Sequence, residues 1–359
     1  MPETTIPPSQ TPQDAHSRIV DGVLENADLS GALLEHTDFS TIRFRQVNFR
    51  NADLREVNFA EADFQECDFT GALLAQASFP GASLADCRLD KVQLEGALLS
   101  TATLTRVEMN DASVERADLS AAMFDQCRLN QVSFRDSDLS LAKFNRCELA
   151  AVDFSGAGMA RFMALETDLG AVSFQGNVLE QAMLMNTRLA GQRFPDCDLT
   201  LALFIEADLQ NADFSNMALS QTQFSKSKLI GASFRGVKAD NVSLAIADMS
   251  NADLSDALFD QCDFSHAILD GARCTHTAIS TSPMVGLQAR SSVWDGASLK
   301  LCDLSHAALD GASFRNGSIS ICNLHGLSEE KTVWDGTTFN EALRTDAMRK
   351  AAEEWEAPR

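Results

Sequence analysis

The sequence predicts an all-β solenoid, and three observations predict it. The first is a period of five. Taking every fifth residue from Leu24 to Phe339 gives 64 slots, of which 29 hold Leu and 21 hold Phe. Of the 22 Phe in the protein, only Phe162 falls outside this register. The second is a small residue (Ala, Cys, Ser, Thr, Val or Gly) two positions before the large one, in 57 of the 64 repeats. The third is exclusion: five fits neither a helix at 3.6 nor a plain strand at 2. A chain that turns a corner every five residues does fit, with the large and small residues inward and the other three outward.

Several repeats read as a small residue, Asp, Leu and two further positions. Ala27-Asp28-Leu29, Ala52-Asp53-Leu54, Ala207-Asp208-Leu209 and Ala252-Asp253-Leu254 carry that pattern. In these residues the chain resembles the pentapeptide-repeat family over 22–339. The resemblance implies a right-handed quadrilateral β-helix with four repeats, or 20 residues, per coil. About 16 coils spaced like paired strands, roughly 4.8 Å apart, would make a rod about 75 Å long. In that register Phe134, Phe154, Phe174, Phe194, Phe214 and Phe234 fall on one face. Burying each Leu or Phe is worth roughly 1.5 to 3 kcal/mol, so many similar small terms hold the coils together and the ends are weakest.

Three segments follow. Residues 1–20 contain four Pro and no period, and are expected to be a flexible tail leading into a cap. The β-helix spans 21–340. Residues 341–359 change period: Leu343, Ala347, Ala351 and Trp355 recur at four, with Met348 and Ala352 alongside, as in an amphipathic helix over 341–356. Its apolar stripe either closes the last coil or pairs two molecules into a homodimer, and both readings stay open.

Composition narrows the partners. A net charge of −22 and a pI near 4.5 disfavour direct binding to nucleic acid or an anionic membrane, which need basic patches. Met1 to Pro12 shows no secretory pattern, and no apolar run approaches a membrane span, so a cytoplasmic protein is expected.

Residue types that often carry chemistry are placed as structure. Eight of nine Cys (Cys67, Cys87, Cys127, Cys147, Cys197, Cys262, Cys302, Cys322) occupy the small inward slot and Cys274 the large one, so they read as core. His266 and His306 are two coils apart, too far to share an ion, and His16, His36, His276 and His325 are scattered. With no phosphate loop, nucleophile elbow or zinc spacing, no catalytic residue, cofactor or metal is expected.

Departures from the pattern are where function is sought. At Arg161-Phe162-Met163-Ala164-Leu165 the large and small residues exchange slots. Around it Met163, Met183 and Leu203 are 20 apart, as are Leu165, Met185 and Ile205, and Met123 extends the series. Phe162, Met163, Leu165, Met183, Met185, Leu203 and Ile205 are therefore the expected protein-binding strip, since contiguous exposed apolar surface marks an interface. Residues 281–286 and 325–330 lose the pattern, each before a Trp, Trp294 and Trp334, and read either as irregular corners that a bulky ring absorbs, the favoured reading, or as a second recognition surface. Arg88, Glu108, Arg128, Glu148, Asp168, Arg188, Asp208, Lys228 and Asp248 form a nearly alternating charge ladder, whereas Asp240 to Asp270 holds seven Asp and no Lys or Arg.

These features suggest a non-catalytic interaction scaffold or adaptor in a bacterial cytosol. Resemblance to long pentapeptide proteins found beside type VI secretion genes implies an accessory, effector-loading role, with a secretion effector or spike component as partner. The alternative implied by the family is a DNA mimic acting on a type II topoisomerase, DNA gyrase; the self-neutralising ladder and the apolar strip count against it.

Overall fold

A computed structural model describes residues 11–353 and Trp355. The chain forms two compact units, Met1–Met183 with Pro195–Asp198, and Leu184–Phe194 with Leu199–Arg359.

In the first unit the strands recur at 20 residues. Strands Val23–Glu25, Arg43–Arg45, Asp63–Gln65 and Ser83–Ala85 pair in parallel, and the series continues through Thr103–Thr105, Met123–Asp125 and Lys143–Asn145 to Met163–Leu165. Three further faces carry single bridges at the same interval, such as Asp28↔Asn48, Leu33↔Asp53 and Asp38↔Asn58. Four bridged faces in 20 residues make the coil quadrilateral. The inward large residue donates its amide to the next coil, as Leu29 does to the Asn48 carbonyl at 2.8 Å, while the outward residue just before it donates back, as Asp53 does to Ala32 at 2.8 Å. Buried backbone polar groups are thereby paired along the stack.

The corner itself is a left-handed residue. Asn26, His36, Thr41 and Gln46 have φ between 51° and 62°, and the feature recurs every five residues. Side chains with a Cβ pay for this conformation, least when they are Asn or Asp, which explains why Gly, Asn and Asp recur at the position.

The second unit uses the same coil, but its three-residue strands fall five residues earlier in the 20-residue repeat: Ala218–Ser220, Lys238–Asp240, Leu258–Asp260, Ala278–Ser280, Ser298–Lys300, Ser318–Ser320 and Thr338–Asn340, all parallel. Residues 281–286 and 325–330 are regular coil, correcting the expected irregular corners. Pro283 bridges Asp303, which bridges Asn323, and Met284 fills the large slot fully buried. Trp294 stacks on Phe314 at 5.4 Å and donates its indole N–H to Ser292 Oγ at 2.8 Å.

The cores are stacks of rings. Phe134, Phe154 and Phe174 lie 5.4 and 5.9 Å apart in the first unit. In the second, Phe194, Phe214 and Phe234 lie 5.4 and 5.0 Å apart. All Cys but Cys197, which is half-buried, are core residues. Cys67 and Cys87 donate to the Phe44 and Phe64 carbonyls. Burial pushes the Cys262 thiol up to about 11 and Cys274 well above its ordinary value, so these thiols are poor nucleophiles.

The two ends are built differently. Residues 1–10 lie outside the described residues, but the rest of the expected flexible tail is structured. A short helix α1, Pro12–Ser17, starts with a capping box between Thr11 and Asp14, and buries Ala15. His16 stacks on Phe39 at 4.8 Å, covering the first coil. At the other end helix α2 spans Ala347–Glu353, shorter than the expected 341–356, and none of its residues is buried. Met348 is 85% exposed, and Leu343 and Trp355 are also open, so the apolar stripe does not close the last coil within the chain. Two large-register slots there hold charges instead, Glu329 and Arg344, and both are exposed. Arg344 pairs with Glu329 at 2.9 Å, and its guanidinium lies 4.7 Å from the Phe339 ring and 6.0 Å from that of Trp334.

Candidate interaction surface

The slot exchange at 161–165 is an inward event. Phe162 and Ala164 are both fully buried, and the Phe162 ring sits 5.2 Å from Phe144 and 6.2 Å from Phe154. Phe162 is therefore core, a correction to its place in the expected binding strip. The large side chain simply enters from the small slot, conserving volume.

Its neighbours point outward. In the first unit Leu165 is 41% exposed, and Met163 and Met183 are half-buried. The Met183 amide donates to the Phe162 carbonyl at 2.7 Å, which brings Met183 beside the exchanged segment. Met123 is exposed but does not extend the patch: it pairs with Lys143, which pairs with Met163, so a cation interrupts the series. In the second unit Met185, Leu203 and Ile205 are half-buried. Amides of Leu184 and Asn186 donate to the carbonyls of Leu203 and Ile205 at 2.8 and 3.2 Å, setting those coils side by side.

The charge ladder forms as its spacing requires. Arg88 meets Glu108 at 3.3 Å, Arg128 meets Glu108 at 3.1 Å, and Arg128 meets Glu148 at 3.2 Å. These pairs are exposed, so each contributes little to stability. Their consequence is electrostatic: a shallow groove of about 450 Å³ lined by Arg106, Arg128, Arg146, Glu108 and Glu148 carries both signs of charge. In the second unit Arg188, Asp208, Lys228 and Asp248 bridge in that order.

One cluster is brought together that the sequence left scattered. His306, His325 and Glu353 offer ligand atoms within 4.8 Å of one another, correcting the expectation that no such group converges. His306 and His325 are 19 apart, one coil less one residue, a spacing the 20-residue register could have flagged. Glu353 comes from α2, which follows no such register.

No helix among the described residues is long and apolar enough to cross a membrane. No curated protein sequence matches the chain. Among solved structures it is similar to HetL, a pentapeptide repeat protein involved in heterocyst differentiation regulation from Nostoc sp. strain PCC 7120, with 24% identity over 68% of this chain and 90% of that one and a TM-score of 0.25. It is also similar to full-length QnrB1, a plasmid-mediated fluoroquinolone resistance protein, with 14% identity over 70% of this chain and 96% of that one and a TM-score of 0.22. Family models match directly: Pentapeptide repeats (8 copies) over 23–60, 62–100, 182–217 and 247–282, and Pentapeptide repeat region over 86–154 and 107–184. With the five-residue register, the coil of four bridged faces and these matches in agreement, the chain belongs to the pentapeptide-repeat family.

Proposed function

We propose that the protein is a non-catalytic interaction scaffold that docks another protein on outward apolar side chains. The observation that carries this reading is the exposure of Leu165 beside half-buried Met163 and Met183 in the first unit. In the preceding coil the same outward slots hold Lys143 and Asn145, so the change to apolar residues is local, and contiguous outward apolar side chains mark an interface. Methionine adapts to the shape of what it meets. Met185, Leu203 and Ile205 are a second apolar group of the same kind, on the second unit.

The finer reading is an adaptor of a type VI secretion system that holds an effector or a spike component in the bacterial cytosol. Exposed Leu343, Met348 and Trp355 at the C-terminal end suit a homodimer contact. Gyrase modulation by DNA mimicry is the second reading. Its support is the net charge of −22, and against it stand the ladder pairs that neutralise one face of the first unit.

The experiment compares the full chain with a Leu165→Asp, Met183→Asp variant. Binding of a co-purified effector or spike protein is expected to weaken at least about tenfold, or 1.4 kcal/mol, with the urea midpoint unchanged. Equal binding by both chains would refute the docking site. Inhibition of gyrase supercoiling by both would favour mimicry.

A further inference from the structure

The C-terminal helix is held to the second unit mostly by polar groups, and three of them have the composition of a metal site. His325 is only 3% exposed, unusual for an outward turn residue, and its Nε2 lies 3.1 Å from Glu353 Oε2. His306 Nε2 lies 3.5 Å from the same oxygen. The two imidazole rings stand edge to face with centroids 5.5 Å apart. Space for His306 comes from Gly326, one coil on: a Cβ there would lie 2.6 Å from His306 Nδ1. The coil supplies both rings, and α2 supplies the carboxylate.

Donor spacing decides what the cluster can hold. A tetrahedral zinc ion with bonds of about 2.0 to 2.1 Å sets its ligand atoms about 3.4 Å apart. The two carboxylate–imidazole separations, 3.1 and 3.5 Å, bracket that value, and the two imidazole donors, within 4.8 Å of each other, close on one another when an ion sits between them. The Glu353 carboxylate is shared between His325 and Arg349. Arg349 takes the other oxygen, Oε1, at 2.8 Å, leaving Oε2 for the shared centre. Two imidazoles, a carboxylate and one open position match a three-ligand zinc site.

We propose that His306, His325 and Glu353 bind one zinc-class divalent cation, which fastens α2 to the last coils. The site is poised for a proton before it is poised for a metal. The Asp346 amide donates to His325 Nδ1 at 3.2 Å, so the neutral ring carries its proton on Nε2, facing Glu353. When the cation takes Nε2, that proton moves to Nδ1 and the Asp346 amide turns to water. Binding therefore loosens the start of α2 while tightening its end, and is weaker than at a site whose second shell accepts from Nδ1.

The test uses the untagged full chain with zinc chloride in a titration calorimeter, and cobalt(II) absorption as a report on ligand type. One equivalent of zinc should bind, and His325→Ala and Glu353→Gln should each weaken it at least about tenfold. Glu353 is exposed, so Glu353→Gln keeps the fold even where His325→Ala does not. The cobalt complex should show tetrahedral ligand-field bands without a sulfur charge-transfer band. Absence of zinc binding, binding unchanged in Glu353→Gln, or a sulfur charge-transfer band from the core cysteines would each overturn the proposal.

Discussion

Phe162 and Ala164 show how a side chain can leave its register without leaving the core. Volume removed from the large slot re-enters from the small one, and the ring still packs on Phe144 and Phe154. Phe162→Ala should therefore cost about 3 to 5 kcal/mol, measured by urea unfolding. The combined Phe162→Ala, Ala164→Phe change restores the common pattern and should cost much less than Phe162→Ala alone; equal costs would mean the exchange is not a volume swap. Five-residue counting already puts Phe162 in the small inward slot; what it does not show is whether so large a ring can be accommodated there. The neighbouring outward residues drew Phe162 into the expected interface, and the packing separates it from them by burying the ring completely.

At the scale of elements, the two ends are closed by different means. α1 is short and depends on its cap: Thr11 accepts from the Asp14 amide while Asp14 accepts from that of Thr11. Thr11→Ala should cost about 1 kcal/mol and speed amide exchange at Ala15. At the far end the Arg344–Glu329 pair lies over the rings of Phe339 and Trp334. Removing the guanidinium with Arg344→Ala should cost about 0.5 to 1 kcal/mol, confined to the last coil and read by exchange at the Asn323 and Leu324 amides. The sequence exposes the change of period near 341, because a helix repeats near four and the coil at five. It does not reveal α1, where six helical residues are too few to show periodicity, nor that the α2 stripe stays open.

Across the molecule, stability is spread over repeated small terms, including one that titrates. Hydrogen bonds from Ser30, Ser40 and Ser215 hold the carboxyls of Asp28, Asp38 and Asp213 below their usual range. Groups lowered in the folded state stabilise it fully above the unfolded carboxylate value, near 4, and lose that contribution as pH falls through the lower folded values. The urea midpoint should therefore show the loss due to these groups only below about pH 4; a fall beginning near pH 6 would assign acid sensitivity elsewhere. The fold was legible in the sequence because each coil repeats one steric problem, a large and a small inward residue around a left-handed corner, and 64 repetitions make it visible. The same register placed the Arg88 to Glu148 ladder, since residues 20 apart must become neighbours. Meetings outside the register were not legible. Glu353 reaches His325 and His306 because a helix folds back on the coil, and Arg344 covers Phe339 because the last coil has no successor to bury it. The sequence by itself determined the coil, its charge ladder and its apolar outward residues; tertiary structure alone decided which exceptions are buried, how the ends close and which distant side chains share a centre, because those depend on chain direction after the repeat stops.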